Sequence, residues 1–189
     1  MERKNILNLD EKLIYILYII GALISTTILH EYLTFPFLIF ISLVFYKKTQ
    51  NKKLFLIISL LTLFIEIIGV NTNFPFGEYT YLQALGPKLL GTPIVIGFLW
   101  AILIISSFNL GKIKGIISIL ILDAIIELQS YKLNFWMFKG NIAPIQNYLT
   151  WGLITFICYK YIKEDKKTKV FLYTNYVYFL ISLMVALIS

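Results

Sequence analysis

Three carboxyl groups lie inside apolar stretches of this chain. Glu66 interrupts the run LFLIISLLTLFIEIIGV, while Asp123 and Glu127 interrupt IISILILDAIIEL. An acid in a hydrocarbon environment is costly, so it is by default a candidate functional group. Asp123 and Glu127 are four residues apart and share one helix face. Two such acids without a basic partner repel each other, so at least one is expected to be neutral and able to donate a proton.

The segment after Glu66, NTNFPFGEYTYLQALGPKLLG, is dense in Gly, Pro, Asn and Tyr. We predict that this connector folds back over the acids as a lid, with its two Phe side chains covering an apolar substrate. Its polar side chains would satisfy the non-helical backbone at that depth. Its tyrosines would serve equally well as interfacial anchors. The candidate substrate-binding residues of the connector are Asn71, Phe74, Phe76, Glu78 and Tyr79.

Further candidates are amide and indole side chains within or beside the later apolar runs. Trp100 lies well inside its run, away from an interfacial position, and Asn147 and Trp151 are four residues apart on one predicted helix face. Helix faces that carry such side chains could face one another across a bundle interior, while the Ile and Leu faces of the same helices contact lipid. The further candidate substrate-binding residues are Trp100, Trp136, Gln146, Asn147 and Trp151.

Composition indicates how these residues are positioned. The 189 residues are 59% hydrophobic and only 14% charged, whereas a soluble domain is about a quarter charged. Apolar runs recur at lengths that cross a bilayer core. We predict an all-α fold, a polytopic helical membrane bundle in which residues 1–189 form a single integral membrane domain. The seven predicted spans are Leu13–Leu29, Tyr32–Tyr46, Leu54–Val70, Pro93–Phe108, Ile113–Gln129, Pro144–Ile162 and Val170–Ile188.

The basic residues predict the orientation of this bundle. If the N-terminus is cytoplasmic, only Lys88, Lys132 and Lys139 of the 17 Lys and Arg residues fall in outer segments. Such asymmetry is typical of multi-pass proteins with positive loops inside. All three buried acids then lie toward the outer side. We therefore predict a cell-membrane protein whose site faces the extracytoplasmic side, and we interpret the net charge of +7 as topology and expect no nucleic-acid partner.

Several kinds of site are disfavoured by the residues. One Cys and one His leave little for a thiolate or imidazole metal site. The last predicted span has no Lys for a retinal Schiff base. No Gly-rich phosphate loop is present, and the acids do not form the paired Asp-rich motifs of a diphosphate-dependent prenyltransferase.

The run EIIGVNTNFPFGEYTY at residues 66–81, continued by LGPKLLGTP, resembles the carotenoid biosynthesis membrane proteins. That family includes carotenoid hydratases acting at the 1,2 bond and bisanhydrobacterioruberin hydratases. A second block is also similar: Asp123 with Glu127, Trp136, IQNY at residues 145–148, and the Trp151–Gly152 pair. The resemblance covers roughly residues 60–155.

The resemblance implies hydration, without a cofactor, of a terminal isoprenoid double bond in a forty- to fifty-carbon carotenoid. An acid would protonate the alkene, aromatic faces would steady the tertiary cation, and water would add. Asp123, Glu127 and Glu66 are the catalytic candidates, with no assignment of the donor among them. The implied partners are the lipophilic polyene, membrane lipid and other enzymes of the carotenoid pathway. Two alternatives remain open: an isomerase or cyclase of isoprenoid ends, and a non-enzymatic lipid-binding or transport protein.

Overall fold

The computed structural model describes residues 9–25, 27 and 29–188. Within these residues the chain forms seven α-helices and two antiparallel pairs of short strands. The helices are α1 (Leu9–Ile24), α2 (His30–Lys48), α3 (Lys52–Thr72), α4 (Ile94–Ser107), α5 (Lys112–Glu127), α6 (Ile145–Cys158) and α7 (Lys169–Ile188). The strands are β1 (Tyr79–Tyr81), β2 (Lys88–Leu89), β3 (Thr92–Pro93) and β4 (Trp136–Phe138).

Each predicted span coincides with one helix in chain order, which confirms the helical fold of the described residues. The second span is a full helix that begins at His30, with Pro36 in its interior. The four strands were not predicted. Arg3 and Lys4, which contributed to the predicted orientation, lie outside the described residues, as do residues 26 and 28 at the end of the first predicted span.

Helix α4 is the central element of the bundle. Apart from Phe98, its residues from Val95 to Ser107 are all buried, as expected for a helix that is apolar all round. It packs closely on α3 because Gly97 has no side chain: a Cβ there would lie 2.3 Å from the backbone oxygen of Ser59. Thr62 Oγ1 also donates to the backbone oxygen of Gly97 at 3.2 Å. Small residues at helix contacts allow backbones to approach in this way.

A hydrogen-bond network joins three inter-helix loops at one end of the bundle. The buried carboxylate of Asp165 accepts from Thr49 Oγ1 at 3.1 Å and from the backbone N–H of Gln50 at 2.8 Å. The backbone N–H of Asp165 donates to Asn109 Oδ1 at 2.9 Å. The loops that precede α3, α5 and α7 are thereby tied together. We call this network the loop clamp.

The described helices present many large apolar side chains at the surface. Leu60 is 69% exposed, Phe64 62% and Phe156 62%. Two helical stretches among the described residues, Lys52–Thr72 and Lys166–Val185, are long and apolar enough to cross a membrane, and Ile94–Leu110 is a shorter apolar stretch. These features indicate membrane association.

The α3–α4 contact generates a prediction about stability. Gly97→Ala should destabilise the protein by about 1–3 kcal/mol, because the new methyl group meets backbone and cannot be accommodated by a side-chain rotation. Gly152→Ala is the matched control: its Cβ would lie 3.8 Å from the nearest atom, on Leu120, which is ordinary contact. Thermal unfolding in detergent should show a lower midpoint for Gly97→Ala only. Equal midpoints would contradict the close α3–α4 contact.

Candidate functional site

The three acids line one small cavity, which we call the acid cavity. Helices α3, α4, α5 and α6 form its walls, and the segments 73–93 and 128–144, together called the cap, close it. Its volume is about 10 Å³, close to the room that a single water needs. The lining residues are Glu66, Phe76, Tyr79, Tyr81, Trp100, Asp123, Glu127, Trp136, Phe138, Asn147 and Trp151.

The helical stripes seen in the sequence explain why these side chains meet. Glu66 follows Ser59 and Thr62 along one buried face of α3, and all three are less than 5% exposed. Asn147 and Trp151 lie one turn apart on the buried face of α6. The polar residues that interrupt these apolar runs therefore face the bundle interior.

Asp123 has two oxygens in different environments. Oδ2 accepts a hydrogen bond from Asn147 Nδ2 at 3.0 Å, whereas Oδ1 is buried without a partner among the described residues. In a neutral acid the carbonyl oxygen is a stronger acceptor than the hydroxyl oxygen, so a hydrogen bond from an amide N–H to one oxygen favours the proton on the other. When Asp123 is protonated, the proton therefore belongs on Oδ1. The structure leaves that O–H free to donate to whatever occupies the acid cavity.

The other two acids each have a fixed donor. Tyr79 OH donates to Glu66 Oε2, and Trp136 Nε1 donates to both oxygens of Glu127 at 3.1 and 3.0 Å. Burial and the proximity of Glu66 raise the pKa of Tyr79, and the same two causes raise the pKa of Tyr81. Both phenols therefore stay protonated at neutral pH. All three acids thus accept a hydrogen bond from a fixed donor, and Asp123 differs in having a buried oxygen without a partner among the described residues.

An aromatic stack forms one wall of the acid cavity. The rings of Trp100 and Trp151 are stacked with centroids 3.5 Å apart, and Phe76 stacks on Trp151 at 5.3 Å. Faces of aromatic rings carry negative potential, which attracts a cation. The wall therefore suits a positively charged intermediate as well as an apolar substrate.

The cap is held over the acids by pairing between two segments distant in sequence. Strands β1 and β4 are antiparallel, with Tyr79 opposite Phe138 and Tyr81 opposite Trp136. Because side chains alternate along a strand, these four rings all point to the cavity side. The cap thus contributes one continuous aromatic face.

Of the predicted site residues, nine line the acid cavity: Glu66, Phe76, Tyr79, Trp100, Asp123, Glu127, Trp136, Asn147 and Trp151. Four others lie outside its lining. Asn71 caps the end of α3, donating to the backbone oxygens of Ile67 and Leu90 at 2.7 and 3.0 Å.

Phe74, Glu78 and Gln146 point away from the cavity for local reasons. Phe74 is 73% exposed, because the chain turns at Asn73 and Gly77 so that only Phe76 is directed inward. The expectation that both Phe side chains cover the site is therefore corrected. Glu78 precedes the inward-facing Tyr79 and pairs with Lys139 at 2.8 Å on the surface. Gln146 precedes Asn147 on α6 and is exposed.

Sequence reasoning did not select Tyr81 and Phe138 as site residues. Both follow a selected aromatic residue by two positions, Tyr79 and Trp136 respectively. A period of two is the signal of a strand, and it would have found them had these connectors been interpreted as β structure. No group of three or more His, Cys, Asp or Glu among the described residues has the arrangement of a metal site.

Comparisons with known proteins agree with the earlier resemblance. The model of the carotenoid biosynthesis protein family matches residues 23–188. The bisanhydrobacterioruberin hydratase of Haloarcula japonica (strain ATCC 49778 / DSM 6131 / JCM 7785 / NBRC 101032 / NCIMB 13157 / TR-1) is 27% identical over 107 residues, covering 47% of this chain. The match covers 36% of that relative, so the chain spans only about a third of its length. No solved structure matches the chain significantly. Because the family match extends over most of the sequence, the chain belongs to the carotenoid biosynthesis protein family.

Proposed function

We propose that this protein is a membrane enzyme that hydrates a terminal isoprenoid double bond of a long carotenoid, without a cofactor. Family membership and the hydratase named among its relatives support the reaction class. The observation that carries the proposal is Asp123 Oδ1, a buried carboxyl oxygen without a partner in the acid cavity. A neutral carboxylic acid aimed into an apolar, aromatic cavity is the group that protonation of an alkene requires.

The proposed reaction follows from the partners of the three acids. The Asp123 proton is transferred to the less substituted alkene carbon, and the π electrons form the new C–H bond. The resulting tertiary cation lies against the Trp100 and Trp151 stack. Water then bonds to the cation, and its surplus proton passes to Glu66 or Glu127, whose donors hold them as acceptors. Return of that proton to Asp123 completes the cycle, and the net change is addition of one water.

The small volume of the acid cavity has a consequence for this chemistry. The acid cavity has room for about one water molecule. When the alkene end enters by displacing part of the cap, a single water would therefore be available to react with the cation. A cation exposed to bulk water would be quenched without selectivity, whereas an enclosed site directs the water to one carbon.

The proposal includes a location. We infer that the seven helices span the cell membrane with the N-terminus and the loop clamp on the cytoplasmic side and the cap outside. The distribution of Lys and Arg supports this orientation. The exposed apolar faces of the helices would then contact lipid, from which a carotenoid would approach.

A first test addresses the proton donor. Asp123→Asn should reduce hydration by about 100- to 10,000-fold, because the amide preserves shape but cannot protonate an alkene. Folding should survive, since the amide has the shape of the protonated acid and, like it, carries no charge. Glu78→Gln is the control, as its carboxylate lies on the surface and pairs with Lys139. Products would be measured by mass spectrometry of lipid extracts from a carotenoid-producing host.

The same extracts separate the competing functions. Hydration adds the mass of water to each modified end, whereas isomerisation or cyclisation leaves the mass unchanged and shifts the retention time. No product with any variant would favour a binding or transport protein. Normal turnover by Asp123→Asn would remove this residue from the donor role.

A second test addresses the aromatic wall. Phe76→Leu should lower the rate by about tenfold, since the lost cation–π contact is worth about 1–2 kcal/mol in a desolvated site. Phe74→Leu should leave the rate unchanged, because that side chain is 73% exposed. Both variants should elute as wild type in size-exclusion chromatography. Equal effects of the two substitutions would contradict the distinct positions of these rings.

A third test addresses the orientation. Single cysteines would replace Lys88 on the cap or Lys53 at the start of α3, both of which are exposed. An impermeant maleimide added to intact cells should label position 88 and not position 53. The buried Cys158 should contribute little background. The reverse labelling pattern would contradict an extracytoplasmic site.

A further inference from the structure

A second hollow lies between α1, α2 and α7, apart from the acid cavity. Its volume is about 90 Å³, whereas most voids in well-packed protein interiors are no larger than a water molecule. Its walls are hydrocarbon and aromatic apart from the hydroxyl groups of Thr34 and Tyr178. We call it the lateral hollow.

The lateral hollow opens on the apolar surface of the bundle. Ile20 on α1 and Leu33 on α2 both line it, and they are 48% and 38% exposed. Between them Gly21 leaves room for the ring of Phe37: a Cβ at Gly21 would lie 2.7 Å from that ring. The mouth is therefore a gap between two helices, flanked by side chains of the type that face lipid.

A second, narrower space adjoins the lateral hollow on the side of Phe135. Its volume is about 10 Å³, and it shares Thr34, Phe37 and Tyr178 with the lateral hollow. The stacked rings of Phe37 and Tyr178, 6.0 Å apart, are shared by both spaces. The ring of Phe135 lies 5.9 Å from that of Trp136, which lines the acid cavity. Packed aromatic rings thus lie between the lateral hollow and the acid cavity, and they would have to move apart for a polyene to reach the acids.

We propose that the lateral hollow binds part of the hydrocarbon chain of the polyene whose terminal double bond enters the acid cavity, with the rest of the chain lying along the apolar surface at its mouth. This inference rests on the proposed function. The acid cavity has room for about one water, so almost all of a forty-carbon substrate must lie elsewhere. A conjugated chain has no hydrogen-bonding groups, which suits apolar walls. Entry between α1 and α2 also lets a water-insoluble molecule pass from the bilayer to the site without crossing water.

The test narrows the mouth from its lipid-facing edge. The double variant Ile20→Phe with Ile24→Phe adds bulk to two lining residues of α1. The matched control is Ile16→Phe with Ile19→Phe, which makes the same chemical change at positions 52% and 38% exposed that do not line the hollow. We expect the first pair to slow hydration of a full-length linear carotenoid by at least about tenfold, through misplacement of its end. Hydration of a ten-carbon alkene with the same terminus should change by less than about twofold.

A binding measurement is independent of catalysis. Parinaric acid, a conjugated tetraene fatty acid, accepts excitation energy from tryptophan, and the three Trp residues of this chain all line the acid cavity. In nanodiscs of one saturated phosphatidylcholine, energy transfer from tryptophan to parinaric acid should be more efficient than transfer to a tetraene probe that is held at the bilayer surface. Added carotenoid should displace the bound parinaric acid. Ile20→Phe with Ile24→Phe should weaken the transfer, and the control pair should not.

The outcomes distinguish this inference from the proposed function. If wild type hydrates carotenoid and both double variants match it in rate and energy transfer, the chain lies elsewhere and the inference is overturned. If no variant hydrates anything but only the mouth variant loses tetraene binding, the lateral hollow stands and the hydratase proposal falls. If added carotenoid does not displace the bound tetraene, the hollow is a phospholipid site and the inference is overturned.

A second pair of variants tests the mouth independently, so that misfolding of the first pair would not leave the inference untested. Leu33→Phe narrows the mouth from α2, and Leu43→Phe, 57% exposed on the same helix and outside the lining, is its control. The same loss should appear with Leu33→Phe alone. If neither mouth variant differs from its control, the inference is overturned.

Discussion

The burial of three carboxyl groups in an apolar bundle is the constraint on which the rest of this structure depends. Each acid needs polar partners that its apolar surroundings cannot supply, and the protein provides a different one for each: an amide for Asp123, a phenol for Glu66 and an indole for Glu127. Because buried polar groups are costly unless satisfied, these contacts fix which helix faces turn inward. Among the described residues, Oδ1 of Asp123 is the buried carboxyl oxygen left without a partner, and it is the atom to which we assign the proton transfer.

The two ends of the bundle solve the problem of exposed backbone in different ways. At one end, the loop clamp satisfies buried polar groups through side chains, with Asp165 at its centre. At the other, the cap uses strand pairing between β1 and β4 and carries aromatic side chains on its inner face. The first end joins inter-helix loops to one another, whereas the second is bonded to the helices at the site itself, by Tyr79 on Glu66 and Trp136 on Glu127.

Helix packing and site geometry are linked through α4. Gly97 lets α4 approach α3 closely, which places Trp100, one turn further on, against Trp151 of α6. Leu99, the residue before Trp100, lines the narrow space that adjoins the lateral hollow. One central apolar helix thus contributes to both the acid cavity and the route proposed for the substrate.

The sequence by itself determined the helices and the inward-facing acids. Apolar runs long enough to form helices are visible residue by residue, and a stripe such as Asn147 and Trp151 reveals its buried face through the helical period alone. Family membership also followed from the blocks around Glu66 and Asp123, since those blocks combine uncommon residues at fixed spacing.

Only the tertiary structure decided how the connectors complete the site. Tyr81 and Phe138 face the acids because β1 pairs with β4, a segment more than fifty residues away, and no local pattern specifies that register. The same pairing turns Glu78 to the surface, while the turns at Asn73 and Gly77 separate Phe76 from Phe74. The assignment of Asp123 as the proposed proton donor also depended on the tertiary structure: three acids look alike in the sequence, and the hydrogen bond from Asn147 distinguishes the free oxygen of Asp123 from the others.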